Sequence, residues 1–175
     1  MIYQLYKGWH VLDIGANRGE WTREAVQAGC SVVACEPIAK YRQSILDAGA
    51  IAALTVAVSD VPDKVKLTVG KDDRFSSIHD KWVREADAVF GWYEQIETIE
   101  VETIRLDMLL WRYGNFDFIK IDTEGHEPAV IRSLGAHRPK RMSLEYHGGK
   151  CLLQSMLGVT EEALSLVGND YTCRF

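Results

Sequence analysis

The chain is 175 residues long, 47% hydrophobic and 26% charged, with 14 Gly and 4 Pro, a composition that suits a folded core and excludes collagenous, low-complexity and disordered classes. Its 20 Lys and Arg against 25 Asp and Glu give a net charge of −5, and no basic cluster of the kind that tracks phosphates occurs, so no nucleic-acid partner is expected. No apolar stretch reaches the roughly 18 residues that span a bilayer, and Gln4, Lys7 and Gly8 interrupt any leader-like run, which points to a cytoplasmic protein with no membrane partner.

Residues 10–14 (HVLDI) form a short apolar run that breaks at Gly15, and residues 19–28 follow with helical composition, closed by Gly29. A second pair repeats the rhythm, with a strand over 31–35 and a helix over 38–48 closed by Gly49. Residues 51–58 read as a third strand, and Val65, Leu67 and Val69 alternate as one arm of a hairpin. Between 71 and 97 the pattern is polar and aromatic, with Trp82, Ala86, Val89 and Phe90 on one helical face. Residues 98–104 alternate as an antiparallel strand, 106–111 suit a short helix, and 116–121 (FDFIKI) read as a strand buried on both faces. A helix over 127–134 with Pro128 in its first turn, a strand over 141–146, a helix over 160–167 and a closing strand over 171–175 complete the series.

Short strands alternating with helices imply right-handed crossovers, hence an α/β fold with a mostly parallel twisted sheet covered on both faces. One domain, 1–175, is expected, with an inserted hairpin or lid segment around 62–104. Cys30, Cys35, Cys151 and Cys173 make no CxxC pair. Five strand residues at about 3.3 Å each hold Cys30 and Cys35 about 16 Å apart, and all four are expected as reduced thiols.

In such sheets ligands bind at the carboxyl ends of the strands. After the first strand comes Asp13-Ile-Gly15-Ala16-Asn17-Arg18-Gly19, a loop resembling a nucleotide loop but failing the GxGxxG fingerprint. A carboxylate at Asp13 would repel a pyrophosphate and attract a ligand carrying an ammonium group, as S-adenosylmethionine does. Glu36 ends the second strand 21 residues after Gly15, close to the roughly 20 expected for an acid that hydrogen-bonds ribose hydroxyls. Asp13 as a turn-stabilising side chain and Glu36 as a solvated strand end are the plainer alternatives.

The stretches VLDIGANRGEW at 11–21, CEP at 35–37, AVSD at 57–60 and, most specifically, IKIDTEGHEPAVIRSLG at 119–135 resemble the FkbM family of S-adenosylmethionine-dependent methyltransferases, over about residues 9–147. The resemblance implies a class I methyltransferase, Rossmann-like three-layer fold and transfer of a methyl group to a hydroxyl oxygen. By position, it assigns Asp13, Gly15, Ala16, Asn17 and Gly19 to the methionine portion of the cofactor, Glu36 to its ribose, and Ser59 and Asp60 to the adenine edge. The antiparallel hairpin that closes class I sheets is expected here only as residues 171–175.

An alcohol is a poor nucleophile, so methyl transfer to it calls for a base, a metal or tight alignment. Asp122, Glu124, His126 and Glu127 crowd the end of the fourth parallel strand, and Glu145 and His147 end its neighbour. Asp122 is expected nearest the cofactor, Glu124 or His126 as proton acceptor, and Glu127 as a helix N-terminal charge. Ser76, Ser77, His79, Trp92, Glu145 and His147 are candidates to contact the acceptor. Asp122, Glu124, Glu145 and His147 could also hold Mg²⁺, but no diagnostic spacing supports it, and no metal is expected. The expected activity is an O-methyltransferase acting on a small-molecule hydroxyl such as a sugar or natural product. The alternatives are a cofactor-binding module without turnover and a nucleotide-dependent oxidoreductase.

Overall fold

In this computed structural model, residues 4–71, 76–78, 95–146, 149–167 and 170–175 are described. The first four strands are β1 (His10–Ile14), β2 (Ser31–Cys35), β3 (Ala52–Leu54) and β4 (Ala57–Val58), with helices α1 (Glu20–Gln27) and α2 (Arg42–Asp47) between them. A hairpin pairs β5 (Lys64–Gly70) with β6 (Gln95–Ile104). There follow α3 (Leu106–Tyr113), β7 (Phe118–Ile121), α4 (Glu127–Ser133), β8 (Arg141–Glu145), α5 (Lys150–Leu157), β9 (Leu164–Val167) and β10 (Asp170–Arg174).

Seven strands form the main sheet in the order β3-β2-β1-β7-β8-β10-β9, all parallel except β10, which runs against both its neighbours. This is the class I methyltransferase arrangement the resemblance implies, including the complete closing hairpin. Residues 160–167 are therefore a correction: a 3₁₀ turn at Glu161–Ala163 leads into a strand, β9, rather than a helix. Leu164 to Val167 pair antiparallel with Cys173 to Asp170, and Gly168-Asn169 is a two-residue hairpin signal in the sequence. The helix lies earlier, in α5, where Leu153 and Leu157 sit four apart on the buried face and Gly158 ends it in the left-handed region. The expected strand over 51–58 is also two pieces, β3 in the main sheet and β4 in a second sheet of order β4-β6-β5. A continuous apolar run cannot show where the chain changes sheets.

Each central strand buries both faces. Leu12, Ile14, Ile119, Ile121, Met142 and Leu144 pack on one side against Leu106 and Leu109 of α3, Val130 and Ile131 of α4, and Leu153 of α5. On the other side Val11, Val32 and Phe118 meet Ala25 of α1. Beside them Ala34 and Ala53 join Ile45 of α2 with Leu67, Val69 and Val101 of the hairpin. The hairpin thus leans over the same edge of the sheet as α1 and α2. Among the described residues no helix is long and apolar enough to cross a membrane, and the four cysteines are free thiols.

β1 lies between β2 and β7, where successive crossovers run in opposite directions, and the loop after it sits at that switch point. Gly15 has φ +75°, and a Cβ there would lie 1.8 Å from the Asp122 carbonyl oxygen. The close neighbour is backbone, which cannot swing aside. Gly15→Ala is expected to lower the melting temperature by several degrees, since left-handed strain alone costs about 1–3 kcal/mol and the clash adds to it. An unchanged thermal transition would show that the loop does not need this approach.

Candidate active site

A cleft of about 930 Å³ opens at the carboxyl ends of β1, β2, β7 and β8. Gly15, Ala16, Asn17, Glu36, Asp122, Glu124, His126, Ser76 and Glu145 line it. Asp13, Gly19, Ser59, Asp60 and Ser77 do not. His79, Trp92 and His147, like the proposed face of Trp82, Ala86, Val89 and Phe90, fall outside the described residues.

Every backbone N–H of the loop from Gly15 to Gly19 is already committed inside the protein. Gly15 and Ala16 donate to the Cys35 carbonyl at 3.0 and 3.2 Å, and Gly19 donates to the Ala16 carbonyl at 2.8 Å. Asn17 N–H donates to Glu36 Oε2 at 2.8 Å, and Arg18 N–H to Asn17 Oδ1 at 2.8 Å. Phosphate loops work by pointing such donors at the anion; this loop points none of them outward. Glu36 also accepts from Ile38 N–H at 2.8 Å through Oε1, so each carboxyl oxygen has capacity for one further donor, and Glu36 lines the cleft. Burial pushes the Glu36 carboxyl up to about 7, against the two N–H groups that favour its ionised form.

Asp13 requires a correction, because its side chain is wholly buried beneath the loop instead of facing a ligand. Thr22 Oγ1 donates to its Oδ2 at 2.6 Å, and Lys120 Nζ lies 3.3 Å from its Oδ1. The same ammonium donates to the Gly15 carbonyl at 2.9 Å and pairs with Asp122 Oδ2 at 3.3 Å. Burial pulls the Lys120 ammonium down, yet Asp13 and Asp122 more than offset it and hold its pKa above the ordinary lysine range. Lys120 is a strut between the glycine loop and the end of β7. Its sequence signal was a charge in the middle of an apolar strand. Gly19, likewise, faces α2: a Cβ there would meet Ile45 Cα at 3.1 Å, so the position serves helix packing.

Residues 122–126 form a tight turn organised by Glu127. Its Oε1 accepts from Thr123 N–H at 3.1 Å, Thr123 Oγ1–H at 2.9 Å and Gly125 N–H at 3.1 Å. This fixes Glu124 at φ +51°, an uncommon conformation for a non-glycine residue. Ser77 Oγ donates to the Glu124 carbonyl at 2.6 Å, so Ser77 braces the turn and does not meet a ligand. Ser59 and Asp60, expected at the adenine edge, are not among the cleft-lining residues and lie against His126 and Arg132.

The methyltransferase FkbM domain description matches residues 13–164 of this sequence. The chain belongs to the FkbM methyltransferase family. No curated protein matches it. Among solved structures it is similar to the C-terminal domain of precorrin-6Y C5,15-methyltransferase from Rhodobacter capsulatus, at 11% identity and TM-score 0.47, over 98% of this chain and 82% of that one.

Glu124, expected as a candidate proton acceptor, sits in a buried and electronegative setting in this FkbM domain. Burial, then the negative charges of Asp122, Glu145 and Glu127, push its carboxyl up to about 9. A carboxyl raised that far favours its protonated form at neutral pH. The folded protein binds this proton more tightly than the unfolded chain, so the stability linked to it is present at low pH and lost as pH rises through about 9. As pH rises from about 5 toward 9, the wild-type melting temperature is expected to fall more steeply than that of Glu124→Gln. Parallel curves from differential scanning calorimetry would contradict the assignment.

Proposed function

We propose that this FkbM domain transfers the methyl group of S-adenosylmethionine to a hydroxyl oxygen of a small molecule such as a sugar or natural product. The observation that carries the reading is a single cleft whose two ends differ chemically, with Glu36 at one and Asp122, Glu124 and His126 at the other. The residues present fit the cofactor: a buried carboxylate with spare acceptor positions suits ribose hydroxyls, and a loop with no outward N–H groups has nothing to offer a pyrophosphate. Bound S-adenosylmethionine would supply an electrophilic methyl whose sulfonium leaves as a neutral thioether.

Within this reading Gly15, Ala16 and Asn17 shape the floor under the methionine portion, Glu36 holds the ribose, and Asp122, next to Gly15, faces the transferred group. His126 accepts the proton of the attacking hydroxyl. Glu124, protonated, orients the acceptor by donating a hydrogen bond, and Ser76 and Glu145 contact it from the flanks. Leu67, Lys71, Ser76 and Ile78 contribute to the cleft wall beside the acceptor.

Incubation with labelled methyl donor and a library of hydroxylated acceptors, with the thioether product measured, tests the reading. Acceptor-dependent product supports it, and product formed only with amine or thiol acceptors overturns the O-methyl assignment. Separately, Glu36→Ala should weaken cofactor binding at least about tenfold, because hydrogen bonds to a charged acceptor are worth about 1.5–3 kcal/mol each. Unchanged affinity in a folded variant would remove Glu36 from the cofactor site.

A further inference from the structure

We infer that α3 is a dimerisation helix, whose outer face takes the α3 of a second copy of this chain, packed parallel about a two-fold axis that runs along the helix. The inference is independent of the methyl-transfer reading.

Leu106 and Leu109 of α3 are fully buried, and Leu110 and Tyr113 pack against the same core. The remaining four residues make the outer face. At about 100° per residue they follow one another around the helix as Asp107, Trp111, Met108 and Arg112, over an arc of about 140°. Trp111 is 89% exposed and Met108 is 49% exposed. One exposed apolar side chain is ordinary on a protein surface, but here a Trp and a Met share the centre of one helix face. Ile104, at the end of β6, extends the stripe, so apolar residues recur at spacings of four and three. The stripe and its flanks line a surface groove of about 510 Å³.

The flanking charges decide the occupant. Apolar residues at such spacings form the seam of a helix pair, and the residues just outside the seam set its orientation through ion pairs between the helices. In parallel packing, the residue on one flank meets the residue five positions later in the second copy. Asp107 and Arg112 are five apart and of opposite sign, so both flanks close with Asp107 against the second copy's Arg112. Antiparallel packing would set Asp107 against Asp107 and Arg112 against Arg112, an arrangement that like charge opposes. Within one helix only residues three or four apart are neighbours, and Arg112 rests 5.4 Å from the centroid of the Tyr113 ring. Asp107 is already fixed in place, because Arg105 Nη2 and Nε donate to its two oxygens at 2.8 and 3.1 Å. A carboxylate has acceptor capacity left for a second guanidinium, and a pre-set acid loses little freedom on pairing.

Eight residues make a helix about 12 Å long, which puts the contact at the small end of protein interfaces, so the dimer should form reversibly and at high concentration. α3 leads into β7, and the cleft lies at the far end of β7. Parallel packing therefore leaves both clefts open at the same end of the pair.

Sedimentation equilibrium of the full chain, from micromolar to near-millimolar concentration, tests the inference. The mass is expected to rise from 19.8 kDa toward twice that value. Trp111→Glu should weaken association at least about tenfold, the effect of losing an aromatic anchor from an interface, yet melt with the wild type at concentrations where both are monomers. Arg112→Asp should also weaken it, by setting two acids together on each flank, and adding Asp107→Arg should restore it. Since the two positions do not meet within one helix, that recovery reports a contact between copies. A wild type that keeps the mass of one chain at every concentration overturns the inference and leaves the face to a different protein. Association that survives Trp111→Glu, or a charge exchange that fails to rescue Arg112→Asp, overturns it as well.

Discussion

Replacing Lys120 with Met is expected to destabilise the protein by about 3–5 kcal/mol, the cost of leaving a buried ion pair with one partner. The effect is large because the partner left behind is Asp13, whose side chain has no exposed surface. Thr22 satisfies Oδ2, and among the described residues Oδ1 is left to the Lys120 ammonium at 3.3 Å. The same change removes the donor to the Gly15 carbonyl, so the loop loses its tie to β7 and cofactor binding should weaken as well. At about 2–4 °C per kcal/mol for a chain of this size, the melting temperature should drop by roughly 10 °C. Adding Asp13→Asn should recover part of that loss, since the uncompensated charge goes with it. A Lys120→Met protein that melts with the wild type would show that the strut carries no load.

His126→Gln is expected to lower turnover by about 10²–10⁴, the range for losing a general base, while cofactor affinity stays within about twofold of wild type, as expected when only transition-state interactions are removed. Gln retains a polar group toward Ser59 but cannot accept a proton. The comparison that gives the measurement force is Glu124→Gln: a group that already holds its proton at neutral pH is not the acceptor, so its replacement should cost much less. Equal losses in the two variants would place the base at Glu124 and the protonation argument would fail. Full turnover in His126→Gln would send the search elsewhere in the cleft.

β1 and β2 were readable because each is a short apolar run ended by Gly or an acid-proline pair, and β7 and β8 because each is an apolar run followed by acids. Asp13, Gly15 and Glu36 were found for the same reason, as polar punctuation after such runs. Their division of labour was not readable. Alternation shows that Asp13 and Ile14 point to opposite faces, but not that the Asp13 face is sealed by Lys120 from a strand more than a hundred residues away. That pairing exists only once β1 and β7 lie side by side, with Asp13 opposite Lys120 in register. Ser143 lies opposite Lys120 on β8 and lines the cleft with a buried hydroxyl that has no hydrogen-bond partner among the described residues. A lone Ser within a strand gave no hint of that. Glu127 was legible as a helix-start charge, whereas its three bonds to the 123–125 turn depend on the turn's path. The closing strand β10 was expected, but its partner β9 was read as a helix because Thr160 imitates a helix cap and four residues are too few for periodicity to separate strand from helix.

Calorimetric titration of the purified protein with S-adenosylmethionine, its demethylated thioether product and NAD tests the central claim most directly, because the loop's committed N–H groups and the Glu36 carboxylate bear on all three ligands at once. Saturable binding of the methyl donor and its product, with none for NAD, is the predicted result. NAD binding with no detectable heat from either the methyl donor or its product would contradict the account.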